Sequence, residues 1–167
     1  PSALPERTMK EEKTDFVCQG EGPLTILNLL QTIKAKSDDY GKVGGLWYWK
    51  DGQPVSSPPY PNIKALDEEM PGMAWDLLPM DRYRAHNWHC FDNLNERQPY
   101  ASLYTSLGCP FQCSFCCINA PFGKSAFKYW APAFTLRDLE ILATQYHVTS
   151  IKIADEMFVL NPEHFLR

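Results

Sequence analysis

Apolar residues fall along this chain in two rhythms, and those rhythms divide it into elements. Leu24, Leu27, Leu30 and Ile33 recur at the spacing of one helix face and predict an amphipathic helix from about Pro23 to Ala35. Ahead of it, Asp15 to Cys18 is a short apolar run that reads as a strand, and Pro5 to Lys13 reads as a short polar helix. Gln19-Gly20-Glu21-Gly22-Pro23 is the turn between strand and helix. Its two glycines permit positive φ or a close backbone approach to a ligand. Gly45 to Lys50 followed by Asp51-Gly52 predicts a β-hairpin. In the second half, Tyr100 to Leu107 reads as a strand. Leu136, Leu139, Leu142 or Ala143, and Tyr146 share one face of a helix capped by Thr135, with Asp138 at the third helical position. Val148 to Ala154 is a β-branched strand ending in Asp155-Glu156. Strand, loop, helix and strand make a βαβ unit, whose strands run parallel with a right-handed crossover.

The pattern predicts an α/β fold in three stretches. Residues 1–53 form a helix–strand–turn–helix piece of an α/β layer and the hairpin. Residues 54–98 are a linker and crossing segment. It opens with Pro54, Pro58, Pro59 and Pro61, which fit neither a helix nor a central strand. It continues through Asn62 to Pro79, whose Leu66, Trp75, Leu77 and Leu78 are too apolar for a free tether. A helical turn or two over Asp81 to His89 and a polar loop over Asp92 to Pro99 complete it. Residues 99–167 hold the βαβ unit. Asn161 and Pro162 read as the cap and first position of one more helix. With no Met at the start and this helix barely begun at Arg167, the chain reads as a piece of a longer protein.

Composition narrows the class. Of 167 residues, 44% are hydrophobic and 22% charged, as in a globular domain. The net charge of −4 gives no electrostatic case for a nucleic-acid or membrane partner. No apolar run approaches the roughly 18–20 residues of a membrane span. Four of the six cysteines (Cys109, Cys113, Cys116 and Cys117) crowd into one loop, which argues for reduced thiols and a cytoplasmic protein rather than a disulfide framework.

That loop, Ser106 to Phe122, carries the candidate chemistry. Cys109, Cys113 and Cys116 make the spacing C-x3-C-x2-C at the carboxyl end of a strand, with Phe115 before the third cysteine. Thiolates are soft ligands that suit iron–sulfur clusters or zinc. A structural zinc site needs four ligands. Cys113 and Cys116 form one pair; the second would be drawn from Cys109, Cys117, His89 and His147, without a second C-x2-C. The three-residue first gap does not match four-cysteine ferredoxin loops. Three thiolates on a four-iron cube leave one iron open for a substrate or cofactor, which favours an enzyme over an electron carrier. Inert buried cysteines are the remaining reading. Phe111 and Phe115 are placed to shield a cluster. Asp155 and Glu156 fall at the same strand edge, where parallel α/β structures bind ligands.

C-x3-C-x2-C with an aromatic before its last cysteine resembles the signature of the radical S-adenosylmethionine superfamily. The resemblance implies a partial (β/α)6 barrel whose first βαβ is residues 99–167. It implies that Cys109, Cys113 and Cys116 hold a [4Fe–4S] cluster, with the methionyl group of S-adenosylmethionine on the fourth iron and Phe115 against the adenine. Reductive cleavage then yields a 5′-deoxyadenosyl radical. Many members place an acidic segment at the end of the second strand against the methionine amino group. Here Asp155 and Glu156 stand there without the glycines of a Gly-Gly-Glu pattern, and either acid is a candidate.

S-A-L-P-E-R-T, D-F-V-C-Q-G-E-G, G-L-W-Y-W-K-D-G, L-D-E-E-M-P and W-D-L-L-P further resemble the subgroup with a cobalamin-binding domain before the radical domain. Residues 1–53 are then the C-terminal part of a Rossmann-like B12 domain, and Gly20, Glu21 and Gly22 are candidate cobalamin contacts. The implied reaction is methyl transfer to an unactivated carbon. The implied partners are a small-molecule substrate and an electron donor such as a flavodoxin or ferredoxin. A B12-independent radical enzyme of the methylthiotransferase kind is the alternative within the superfamily. A non-catalytic iron–sulfur or zinc module is the alternative outside it. Cys117, Cys18, Trp47, Trp49 and Trp75 read as packing, Trp88-His89-Cys90 as interdomain contacts rather than a metal or proton-transfer site, and Lys124, Lys128 and Lys152 as solvated cations by default, or as partners of a carboxylate or phosphate near the barrel mouth.

Overall fold

The computed structural model describes residues 2–70, 72–86 and 97–166, apart from the side chain of Phe165. Trp88, His89 and Cys90 lie outside the described residues. The chain forms two compact units that do not follow chain order: Pro1–Ile63 with Pro110–Ala126, and Lys64–Cys109 with Phe127–Arg167.

In the first unit, β1 (Phe16–Cys18), β2 (Leu46–Lys50) and β3 (Gln53–Ser56) form an antiparallel sheet in that order, with Val17 opposite Trp47 and Tyr48 opposite Val55. The β2–β3 turn takes φ +51 at Asp51 and +74 at Gly52, the positive pair that a two-residue hairpin requires. Pro54 lies inside β3, an edge strand that tolerates its missing N–H, so the hairpin runs through Ser56. The core is Leu29, Val43 and Leu46, with Phe16, Cys18, Tyr40 and Tyr48 packed against it. α1 (Pro5–Glu11) buries Met9. Gly45 is constrained twice: its φ is +72, and a Cβ there would stand 2.9 Å from both the Gln19 carbonyl and Thr25 Oγ1.

α2 (Pro23–Lys34) forms where its spacing predicts, but with a different face inward. Thr25 and Leu29 are buried, whereas Leu27, Leu30 and Ile33 of the predicted face are exposed, together with Ile26. The helix is apolar on more than one side, and sequence spacing alone does not say which side the sheet takes.

In the second unit, β4 (Tyr100–Leu103) pairs in parallel with β7 (Ser150–Ile153), Tyr100 opposite Ser150 through Leu103 opposite Ile153. α4 (Pro132–Gln145) connects them. Ala101, Leu103, Leu142 and Val148 form the core with Trp75 and Met80 from the crossing segment. That segment contributes α3 (Leu66–Glu69) and 3-10 turns at Trp75–Leu77 and Met80–Arg82. α5 (Pro162–Phe165) starts at Asn161, whose Oδ1 accepts from the Glu163 N–H at 3.2 Å, as predicted.

Two expectations change here. The single strand over Tyr100 to Leu107 is broken at Tyr104-Thr105. Its second part is β5 (Ser106–Cys109), which pairs with β6 (Ala126–Tyr129), a strand the apolar pattern did not show. Thr135 is also not a helix cap. α4 starts a turn earlier at Pro132, where the Asp67 carboxylate accepts the Ala131 N–H at 2.9 Å and supplies a negative group to the helix start. Thr135 Oγ1 is buried with no hydrogen-bond partner among the described residues. Asp138 makes no capping box; it is 4% exposed, with Arg137 Nη2 at 3.5 Å.

Candidate functional site

β5 carries the chain outward to Cys109, with Gly108 at φ +84 directing the exit. Cys109 is half-buried; Cys113, Cys116 and Cys117 are exposed. The loop after Cys109 is held by its own polar groups. The Cys116 N–H donates to the Cys113 carbonyl at 3.1 Å and closes a turn between these two cysteines. Asn119 Nδ2 donates to the Phe111 carbonyl at 2.7 Å, and Gln112 Nε2 to Ser125 Oγ at 2.6 Å. A 3-10 turn at Ala120–Phe122 ends at Gly123 with φ +70. Within the first unit, Cys113, Cys116, Cys117, Lys124 and Ala3 line an open recess of about 590 Å³.

Cys117 is therefore not the packing residue expected from sequence; its thiol shares the recess. Phe115 is 91% exposed and Phe111 54%. Neither is packed away in the core, which leaves both rings available to a ligand. Among the described residues, no group of three or more His, Cys, Asp or Glu side chains is gathered as a metal site. The thiols are nonetheless of the donor type that suits a cluster. Cys113 and Cys116 are reduced, exposed thiols on one open recess, and Cys109 is a reduced thiol at the strand end that begins the loop. Cys18 differs, because burial pushes its thiol up from the ordinary range and keeps it neutral, as a core residue requires.

The glycine turn lies in the same unit. Gly20 and Gly22 have φ of +104 and +89. Ser2 Oγ accepts the Gly20 N–H at 3.3 Å, and the Glu21 carboxylate accepts the Ile63 N–H. Gly22 stands at the N-terminus of α2, and a Cβ there would meet nothing within 4 Å, so the space beside this backbone is open to a ligand. A Cβ on Gly20 would lie 3.8 Å from the Pro121 carbonyl, so the turn and the cysteine loop are neighbours.

In the second unit, the two acids after β7 differ. Asp155 is half-buried and accepts hydrogen bonds from Thr105 N–H at 2.7 Å, from Ser106 Oγ at 2.8 Å and from the Thr105 hydroxyl. Glu156 is exposed. Sequence reading missed Thr105 and Ser106 because their partner is about fifty residues away. Trp75 is buried as expected; Trp47 and Trp49 are tied by their indole N–H groups to Gln19 Oε1 and the Thr14 carbonyl. Lys124 is exposed and lines the recess.

No family model matches the chain. An uncharacterised methyltransferase of Pyrococcus horikoshii is 35% identical over 158 residues, 94% of this chain and 32% of that protein. The anaerobic magnesium-protoporphyrin IX monomethyl ester cyclase of Rubrivivax gelatinosus is 28% identical over 161 residues, 91% of this chain and 26% of its own. Among solved structures, the radical S-adenosylmethionine methyltransferase TsrM of Kitasatospora setae superposes with a TM-score of 0.63 at 20% identity, covering 98% of this chain and 30% of its own. The cobalamin-dependent S-adenosylmethionine radical enzyme OxsB gives 0.64 at 22%, covering 98% and 21%. At these identities the two structures speak for the α/β fold. The chain spans about a third or less of the length of these relatives. In sequence the chain is thus similar to part of a methyltransferase and part of a monomethyl ester cyclase, and in fold to part of two radical S-adenosylmethionine enzymes, one of them cobalamin-dependent.

Proposed function

We propose that this chain is the part of a cobalamin-dependent radical S-adenosylmethionine enzyme that carries the cluster ligands and the end of the cobalamin domain. Its reaction is methyl transfer to a carbon of a small-molecule substrate. Cys109, Cys113 and Cys116 hold the [4Fe–4S] cluster, Phe115 meets the adenine, and one of the two acids after β7, Asp155 or Glu156, serves the methionine end. Gly20, Glu21 and Gly22 form part of the cobalamin cradle. Residues 1–53 belong to a Rossmann-like B12 domain and residues 99–167 to the start of a (β/α)6 barrel, with residues 54–98 as the linker and crossing segment. Held by these residues, the cluster would supply reductive cleavage of S-adenosylmethionine with an electron from a flavodoxin or ferredoxin, and bound methylcobalamin would supply the methyl group. The chain's own residues ligate, orient and exclude water.

The observation that carries this reading is one unit in which the open Gly20–Gly22 turn neighbours a loop presenting Cys113 and Cys116 on an open recess. The match to the ester cyclase favours a second reading, a ring-forming radical reaction on the same cofactors.

The test is anaerobic reconstitution of the chain, followed by iron, sulfide and metal analysis and cobalamin titration. The expected product is brown, oxygen-sensitive and holds about four irons per chain. A colourless protein with one zinc overturns the proposal in favour of a structural module. A four-iron protein whose full-length form takes up no cobalamin favours the methylthiotransferase-like alternative.

A further inference from the structure

The in-register pairing of β4 and β7 has a continuation. After Leu103 opposite Ile153, the Ala154 N–H donates to the Leu103 carbonyl at 2.8 Å, and two residues on, Thr105 meets Asp155. Asp155 Oδ1 accepts the Thr105 N–H at 2.7 Å; Oδ2 accepts the Thr105 hydroxyl and, at 2.8 Å, the Ser106 hydroxyl. Thr105 and Ser106 are buried, and Ser106 begins β5, the strand that ends in Cys109. The Thr105 carbonyl in turn accepts the Trp130 N–H at 3.1 Å, just past β6.

We infer that Asp155 is a positioning residue: a latch that fixes the β4–β5 corner and thereby the direction in which β5 presents Cys109. The inference rests on the reading of Cys109 as a cluster ligand. A carboxylate oxygen has two lone pairs, so Oδ2 is fully used and one site on Oδ1 remains. An ammonium group reaching for Asp155 would compete with three donors held by folded backbone. Glu156 has no such bonds among the described residues and stays exposed. The two adjacent acids thus divide the work, Asp155 holding the corner and Glu156 remaining open to a ligand.

The test uses the full chain in apo and anaerobically reconstituted forms. In the apo chain, losing charge-assisted bonds in Asp155→Ala speeds hydrogen exchange of the Thr105 amide by about tenfold or more. In the reconstituted chain, iron release to a chelator rises by about tenfold in Asp155→Ala and equally in Thr105→Val/Ser106→Ala, and combining the changes adds nothing further. Thr105→Ser, which keeps the hydroxyl, behaves as the parent. Asp155→Asn, which keeps the shape and loses the charge, gives intermediate rates and carries the test should the alanine variant not fold. S-adenosylmethionine, read by its perturbation of the reduced cluster's EPR signal, binds the remaining cluster within about threefold of the parent.

Parental Thr105 exchange in Asp155→Ala overturns the latch. So does parental iron release with S-adenosylmethionine binding weakened about tenfold, which makes Asp155 a ligand contact. A parent chain that takes up no four-iron cluster overturns the family reading itself, and the latch's assigned purpose with it.

Discussion

Cys117 separates two kinds of information at the scale of a residue. Its neighbours qualify as ligands by spacing, a local covalent property visible in the sequence. Its own environment is non-local, and only folding put its thiol in the recess. The proposed ligand set predicts that Cys109→Ala, Cys113→Ala or Cys116→Ala each reduces reconstituted iron from about four per chain to under about one, while Cys117→Ala keeps it. Iron and sulfide analysis with EPR checks this; iron loss in the Cys117 variant would return the site to four protein ligands. Glu69 gives a pH prediction. The N–H groups of Ala65 and Lys64 bond its carboxylate and hold it below the usual carboxylate range. A lowered value stabilises the fold above the unfolded-state pKa, and that contribution is lost as pH falls through the folded value. The acid limb of a pH–stability curve should therefore flatten in Glu69→Gln relative to the parent, measured by urea unfolding.

Elements were legible where one period dominated. The Asp-Gly hairpin and the Asn161 cap follow from neighbours within a few residues, and the parallel arrangement of β4, α4 and β7 from the order strand, helix, strand. Where the choice lay between faces or partners, the pattern was insufficient. Tyr100 to Leu107 has the composition of one strand, yet a carboxylate and a backbone N–H from distant positions seize Thr105 and turn the chain. α4 starts at Pro132 rather than Thr135 because its acidic partner, Asp67, comes from α3. The inward face of α2 can be tested directly. Leu29 is 8% exposed and Leu30 58%. Leu29→Ala is expected to cost about 2–4 kcal/mol, and Leu30→Ala to stay within about 0.5 kcal/mol, by urea unfolding. Equal costs would show that the exposed face is covered in solution.

At the scale of the molecule, each unit has its own hydrophobic cluster: Leu29, Val43 and Leu46 in one, and Trp75, Met80, Ala101, Leu103, Leu142 and Val148 in the other. Among the described residues, none belongs to both. Leu46→Ala and Leu142→Ala are each expected to cost about 2–5 kcal/mol. Their sum should match the double variant within about 0.5 kcal/mol in a double-mutant cycle. A larger coupling would mean that the two clusters act as one. No described helix is long and apolar enough to cross a membrane.

The sequence by itself determined the thiol triad, the glycine turns, the hairpin, the helical and strand periods and the class of fold. Each of these is set by covalent neighbours and their conformational preferences. Tertiary structure alone decided which face of α2 is buried, where the strand after Pro99 breaks, and that Asp155 holds Thr105 and Ser106 while Glu156 stays exposed. The first depends on Leu29 meeting Val43 and Leu46, and the others on Asp155 meeting Thr105 and Ser106, contacts between positions far apart in the chain that no local spacing encodes. The Cys109–Cys116 loop thus began as a ligand pattern on a line of residues. Folding put Cys113, Cys116 and Cys117 together on an open recess.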